Sequence, residues 1–125
     1  TVTQSRDQLI AFYRSCRFVV VPSLWFETFA IVAAEAMAEG VPVIASDIGA
    51  LRDTVPEGEA GMHFPTGDSG ALARLMGQWF EDDALVQRLG KGARNRVEHV
   101  FNEDAHFDRL LTAYDRALAK APIAA

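Results

Sequence analysis

The chain has 125 residues, half of them hydrophobic and 23% charged, with a formal net charge of −5. This size and composition are typical of one folded domain and argue against a disordered chain. The negative charge also argues against a nucleic-acid partner, whose phosphates require basic patches. A single cysteine, Cys16, excludes an internal disulfide framework. Since no apolar run approaches the length of a membrane span and no signal peptide opens the sequence, we expect a cytoplasmic protein.

The first half of the sequence predicts helices alternating with buried strands. We predict a helix over 8–15, a strand over 18–21, a helix over about 28–39, a strand over 42–46, a helical turn over 51–55 and a strand over 61–64. Nearly continuous apolar runs at the first two strands are typical of strands covered on both faces. We expect Thr28 to cap the second helix and Gly40 to end it.

The second half of the sequence predicts three further helices, beginning after Asp68, near Asp82 and after Asn102. In the first of these, Trp79 and Phe80 lie on an apolar stripe, so we expect both in the core. The last has an apolar face formed by Phe107, Leu110, Leu111, Tyr114 and Leu118. The tail over 122–125 is expected to be loose.

The order of the elements predicts the fold class. Buried strands alternating with helices indicate a Rossmann-like, three-layer α/β fold with a parallel sheet. The sheet is truncated to three strands and is followed by three C-terminal helices. We expect residues 1–125 to form a single domain.

Two carboxylates mark the second helix as a candidate binding element. The segment 29–38 is apolar except for Glu35, which predicts a helix buried on all sides with one edge facing a polar cleft. Glu27 precedes the helix entrance, which in such folds lies at the ligand-binding edge of the sheet. Eight helical residues span about 12 Å, whereas the paired carboxylates of glycosidases lie roughly 5–9.5 Å apart. This wider spacing argues against a hydrolytic pair. In the alternative interpretation, Glu27 only favours the helix dipole and Glu35 pairs with an arginine or reaches solvent.

The helix entrance itself offers a phosphate site. The free amides are predicted on Thr28, Phe29, Ala30 and Ile31. Ser46 and Asp47 end the second strand and are expected to point toward the same cleft.

These residues also carry a family resemblance. The segment PSLWFETFAIVAAEAMAEGVPVIASDIG, over 22–49, resembles the E-x7-E region of retaining GT-B glycosyltransferases of the GT4 group. AGMHFPTGDSGALARLM, over 60–76, resembles the family's G-L-L-x-P-x-G-D-x-x-A-L-A segment. LGKGARNRVEHVF, over 89–101, is similar to its L-G-x-x-A-R-x-R-V-x-x-x-F segment. The likeness extends over about 9–118.

The resemblance implies the C-terminal, donor-binding half of a two-domain GT-B enzyme. Glu27 would bind hydroxyls of the donor sugar and Glu35 those of the ribose, as the two catalytic-site carboxylates. The amides of 28–31 would lie near the diphosphate, with Ser46 and Gly49 completing the donor site. The sugar would pass, with retention, from a nucleoside-diphosphate sugar to a saccharide or lipid-linked acceptor, without metal or other cofactor. A lipid-linked acceptor would place the whole protein at the membrane periphery.

The sequence also departs from the family pattern. Ala30 stands where the family often has glycine or proline, and Ala50 where a second glycine is common. The resemblance implies that the N-terminal acceptor domain and the first strands of the donor lobe lie outside this sequence, so we expect a fragment that is inactive alone. Its unprotected sheet edge predicts a homo-oligomer. The alternative is a non-catalytic Rossmann or flavodoxin-like binding or interaction module.

Overall fold

The computed structural model describes residues 5–120. The elements in chain order are α1 (Arg6–Ser15), β1 (Val19–Val21), α2 (Ile31–Ala38), β2 (Val43–Ser46), α3 (Leu51–Thr54), β3 (Gly61–Phe64), α4 (Ser69–Glu81), α5 (Asp83–Val100) and α6 (Glu103–Lys120). The predicted order of elements is therefore confirmed.

The strands form a parallel sheet in the order β1-β2-β3, with Val43 opposite Val19 on one side and Gly61 on the other. All four residues of the central strand β2 are buried, because helices cover both faces. The predicted three-stranded α/β fold is confirmed. Since the strands are parallel, their carboxyl ends meet at one edge, and the loops that follow them share that edge.

Two hydrophobic clusters hold the helices against the sheet. Residues from α1, α2 and α3 pack with Val43 and Ala45 on one face. Trp79 of α4 packs with Ile44 on the other face. Helix α5 contributes Leu89 to the second cluster and Ala93 to the first, because it crosses the sheet at the amino ends of the strands. The carboxyl edge is thus left to the loops.

The predicted helix ends are confirmed at four places. The side chains of Asp68, Asp82 and Asn102 each accept a hydrogen bond from a backbone amide three residues later, at 2.7–2.8 Å. Helix α2 ends at Gly40, whose φ of +73° favours glycine. Helix α1 begins at Arg6 rather than residue 8, because Ser5 opens it with a capping box.

The predicted core position of Phe80 is wrong. Trp79 is fully buried as expected, but Phe80 is 62% exposed and meets the ring of Phe18 at 5.1 Å. Successive residues of a helix point about 100° apart, so these two neighbours cannot both face the sheet. The apolar face of α6 is also exposed, at Phe107, Leu110, Leu111, Tyr114 and Leu118. The tail over 122–125 lies outside the described residues.

Arginines of α5 donate hydrogen bonds to backbone carbonyls of other parts of the fold. Arg88 donates to the carbonyl of Gly58, Arg94 to that of Ala38 and Arg96 to that of Asp53. The last two carbonyls lie at the C-terminal ends of α2 and α3, where helix carbonyls lack partners. Within residues 5–120, no helix combines the length and the apolar character needed to cross a bilayer.

Candidate functional site

The loops after β1 and β2 bring Glu27 and Gly49 together at the carboxyl edge. Gly49 has a φ of +54°, and a Cβ built there would lie 3.0 Å from Phe26 and 3.6 Å from the backbone of Glu27. A side chain at this position would therefore be strained and would push the two loops apart. Ala50, where the family often has a second glycine, has an ordinary φ of −65° and needs none.

Glu27 is half-buried and held in place from within its own loop. The hydroxyl of Ser23 donates to Oε1 of Glu27 at 2.7 Å. Within the described residues, Oε2 accepts no hydrogen bond. One oxygen is thus fixed by the protein, and the other remains for a hydroxyl of a ligand.

The chain enters α2 through a left-handed turn at Ala30. This residue has φ +59° and ψ +59°, a conformation that costs an alanine about 1–2 kcal/mol. Helix α2 therefore begins at Ile31, and the prediction that Thr28 caps it is wrong. Ala30 occupies the N-cap position without a side-chain hydrogen bond. The strain also explains why glycine suits this position.

Two features compensate for the strain at Ala30. Its methyl group is buried in the first hydrophobic cluster. The buried Thr54, in α3, donates its hydroxyl to the carbonyl of Phe29 at 2.9 Å. Helix α3 therefore fixes the backbone immediately before the helix entrance.

The entrance of α2 presents free donors, as predicted. In the described part of the chain, no backbone hydrogen bond is donated by the amides of Thr28, Phe29, Ala30 or Ile31. The expectation that α2 is buried on all sides is wrong, since Ile31 is 64% exposed and Phe29 and Val32 are also exposed. Trp25, in the loop before this helix, is also exposed and therefore is not packed over its first turn.

Glu35 lies on α2 and is exposed, so it reaches solvent, as the alternative interpretation of this residue allowed. The hydroxyl of Tyr13, in α1, donates to its Oε2 at 3.0 Å. Between α1 and α2 is a cavity of about 370 Å³. It is lined by Arg6, Leu9, Ile10, Tyr13, Glu35, Ala38 and Glu39. Glu35 therefore borders a groove with one apolar wall.

The Ser46 side chain does not point toward the cleft as predicted. Ser46 is fully buried, and its hydroxyl has no hydrogen-bond partner among the described residues. Side chains alternate along a strand, so Ser46 shares the face of Ile44 beneath α4. Asp47, the next residue, lies at the surface and forms an ion pair with Arg52 at 2.5 Å. The hydrogen bond and charge of Arg52 lower the pKa of Asp47.

A polar cavity of about 350 Å³ lies at the carboxyl edge near β3. It is lined by Asp47, Glu57, His63, Phe64 and Pro65. The ring of His63 contacts the Glu57 carboxylate at 3.0 Å and the Leu51 carbonyl at 3.3 Å. His63 thus ties β3 to α3. Over 5–120, no group of three or more metal-ligating side chains is close enough to hold an ion.

Sequence reasoning missed two residues that shape this site, Tyr13 and Thr54. Each donates a hydrogen bond to a group that is distant in the sequence. Tyr13 donates to the Glu35 carboxylate, and Thr54 donates to the Phe29 carbonyl. The only signal in the sequence was that each of these residues carries a hydroxyl group on an apolar helix face or beside a strand. That signal predicts a buried hydrogen bond but not its partner.

Comparison with known proteins places the fold and the motifs in one family. A sequence model described as "Glycosyl transferases group 1" matches residues 1–96. D-inositol 3-phosphate glycosyltransferase of Corynebacterium glutamicum is 40% identical over 119 residues, covering 90% of this chain and 27% of that protein.

Solved structures share the same fold. Sucrose-phosphate synthase of Thermosynechococcus elongatus superposes with a TM-score of 0.76 at 40% identity, covering 96% of this chain and 30% of that one. Anabaena HepE superposes with a TM-score of 0.76 at 24% identity, covering 89% of this chain and 30% of that one. This chain thus spans less than a third of the length of these relatives, and its sheet and helices are part of a GT-B fold. The chain belongs to the group 1 glycosyl transferase family.

Proposed function

We propose that this chain forms the donor-binding lobe of a GT4-type retaining glycosyltransferase, whose donor is a nucleoside-diphosphate sugar. The observation that carries the proposal is the open entrance of α2, where the amides of 28–31 donate no backbone hydrogen bond within residues 5–120, with Glu27 before the entrance and Glu35 further along the helix. A helix N-terminus with free amides attracts phosphate. Carboxylates on either side supply acceptors for hydroxyl groups.

Each part of the donor has a counterpart at this entrance. The diphosphate lies at the amides of Phe29, Ala30 and Ile31. The sugar donates hydroxyl hydrogens to Glu27, whose Oε2 is free within the described residues. The ribose donates to Glu35, and the nucleoside occupies the groove of about 370 Å³ beside Leu9. Gly49 keeps the second loop close without filling the sugar site.

The chemistry that these residues supply is positioning and electrostatic stabilisation. As the bond between the sugar and the diphosphate breaks, negative charge grows on the leaving phosphate. Amides at the entrance of α2 that donate to that charge, already in place before reaction, would lower the barrier. Glu27 holds the sugar hydroxyls while the anomeric carbon becomes electron-poor. No metal is required by this arrangement.

Turnover is proposed for the whole protein, since the chain spans less than a third of its relatives. We expect the 125 residues to bind donor and not to transfer its sugar. An N-terminal domain would bind the saccharide or lipid-linked acceptor. The whole protein would act in the cytoplasm or at the membrane periphery. HepE was solved in complex with UDP, which makes UDP sugars the first donors to try.

Calorimetric titration with UDP, GDP and ADP sugars tests the proposal. We expect one of the three series to bind the wild-type chain, and Glu35→Gln to weaken that binding at least tenfold. Glu81→Gln is the matched control, because Glu81 is an exposed glutamate at the end of α4. Failure of all three donor series to bind, or equal loss in both variants, would contradict the proposal.

A further inference from the structure

The buried hydroxyl of Tyr13 connects α1 to the exposed carboxylate on α2. Tyr13 is only 5% exposed, and its hydroxyl donates to Oε2 of Glu35 at 3.0 Å. Glu35 itself is exposed, and its other oxygen, Oε1, accepts no hydrogen bond from residues 5–120. The carboxylate is therefore fixed at one oxygen and available at the other.

This contact is suited to holding a ligand-binding group in place. A glutamate side chain on a helix surface samples several rotamers, and a ligand must pay the entropy of fixing it. Tyr13 removes part of that cost before binding, because its own ring is locked in the first hydrophobic cluster. A second cross-link joins the same two helices, the ion pair of Arg14 with Glu39 at 2.7 Å.

The Tyr13 hydroxyl remains a donor at all physiological pH values. Burial, followed by the hydrogen bond and charge of Glu35, raises the pKa of Tyr13 to about 12. The tyrosine therefore stays protonated and continues to donate to Oε2 of Glu35. A ligand group that complements this arrangement is a neutral hydroxyl donor and not a second anion.

We propose that Tyr13 is a positioning residue, which holds the Glu35 carboxylate in the orientation that receives the ribose hydroxyls of the donor nucleotide. The proposal rests on the proposed function, because it assumes that Glu35 binds the ribose. The apolar groove between α1 and α2, where Tyr13, Leu9 and Ile10 meet Glu35, has room for the rest of the nucleoside.

A comparison of two ligands separates positioning from general support of the fold. The dissociation constants of UDP and of its 2′,3′-dideoxy analogue are measured for the wild type and Tyr13→Phe. GDP or ADP and the corresponding dideoxy analogue replace them if the GDP or ADP sugars are the series that binds. Phenylalanine keeps the ring and removes only the hydroxyl. Since one hydrogen bond is lost, we expect roughly three- to tenfold weaker binding of UDP. The dideoxy analogue, which lacks the hydroxyls that Glu35 receives, should bind both proteins equally.

Tyr114→Phe is the matched control, because Tyr114 is an exposed tyrosine on α6, and it should leave both constants unchanged. Equal weakening of both ligands by Tyr13→Phe would show a structural role only. Unchanged UDP binding would likewise overturn the proposal, and in both cases the proposed function would stand. A wild-type chain that binds none of the three nucleotides would instead contradict the proposed function and this inference with it.

Discussion

A methyl group added at Gly90 should loosen the helix that carries Glu35. Gly90 lies inside α5, where glycine costs about 1 kcal/mol relative to alanine by helix propensity alone. However, a Cβ built at Gly90 would lie 2.4 Å from the carbonyl oxygen of Gly40 and 3.5 Å from Pro42. The neighbour in contact is backbone, at the C-terminal end of α2, so α2 and α5 must move apart.

The magnitude follows from two opposing terms. Overpacking of a close contact costs about 1–3 kcal/mol, and the propensity gain offsets about 1 kcal/mol of it. We therefore expect Gly90→Ala to lower the free energy of unfolding by about 1 kcal/mol. Gly77→Ala is the matched control, because Gly77 lies inside α4 with no atom within 4 Å of the built Cβ. It should raise the free energy of unfolding by about 1 kcal/mol.

Urea denaturation followed by circular dichroism measures both changes. The two variants should differ by about 2 kcal/mol, with opposite signs relative to the wild type. The Gly90→Ala variant should also bind nucleotide more weakly, since Gly40 ends the helix of Glu35. If both variants are stabilised equally, α2 and α5 do not approach each other closely at Gly90, and α2 is not held in place by this contact.

Three other predictions concern the residues around the site and the exposed surface. Because the pKa of Tyr13 is raised above its unfolded value of 10.0 to about 12, stability should be fully present below pH 10 and fall by roughly 2 kcal/mol as the pH rises to 12. Tyr13→Phe should abolish this alkaline loss in pH-dependent unfolding, and an unchanged loss would contradict it. Thr54→Val should lower the free energy of unfolding by about 1–2 kcal/mol in chemical denaturation, because it leaves the carbonyl of Phe29 without its donor. The control Thr112→Val, on exposed α6, should lower it by less than half as much. Equal losses would refute the role of Thr54 in fixing this backbone. The apolar face of α6 is exposed, and the outer edges of β1 and β3 pair with no further strand within residues 5–120. We therefore expect a dimer or larger assembly in sedimentation, where a monomer at high concentration would count against it.

The sequence predicted the elements that depend on local chemistry. The three polar caps, the end of α2 at Gly40 and the buried run of β2 follow from residues within a few positions of one another. The predictions that failed depend on tertiary packing. Trp79 and Phe80 both belong to an apolar stripe in the sequence, but they point about 100° apart, and the packing of α4 turns Trp79 toward the sheet.

The sequence predicted residues for the candidate site, whose binding roles stay predictions, but it did not predict their geometry. Glu27, Glu35 and the amides between them could be named, because their spacing places them at a helix entrance. The left-handed turn at Ala30 could not be predicted, since alanine rarely adopts it and the compensation comes from Thr54. The apolar composition of α2 predicted burial on all sides, but the exposure of Ile31 depends on which elements lie beside its first turn.

We propose that Glu27 and Glu35 bind different parts of one donor. The most direct measurement compares the affinities of a nucleoside diphosphate and the corresponding nucleotide sugar in Glu27→Gln and Glu35→Gln. We predict that Glu27→Gln weakens binding of the nucleotide sugar and leaves that of the nucleoside diphosphate unchanged, whereas Glu35→Gln weakens both. Equal effects of Glu27→Gln on the two ligands, or no effect of Glu35→Gln on either, would contradict the account.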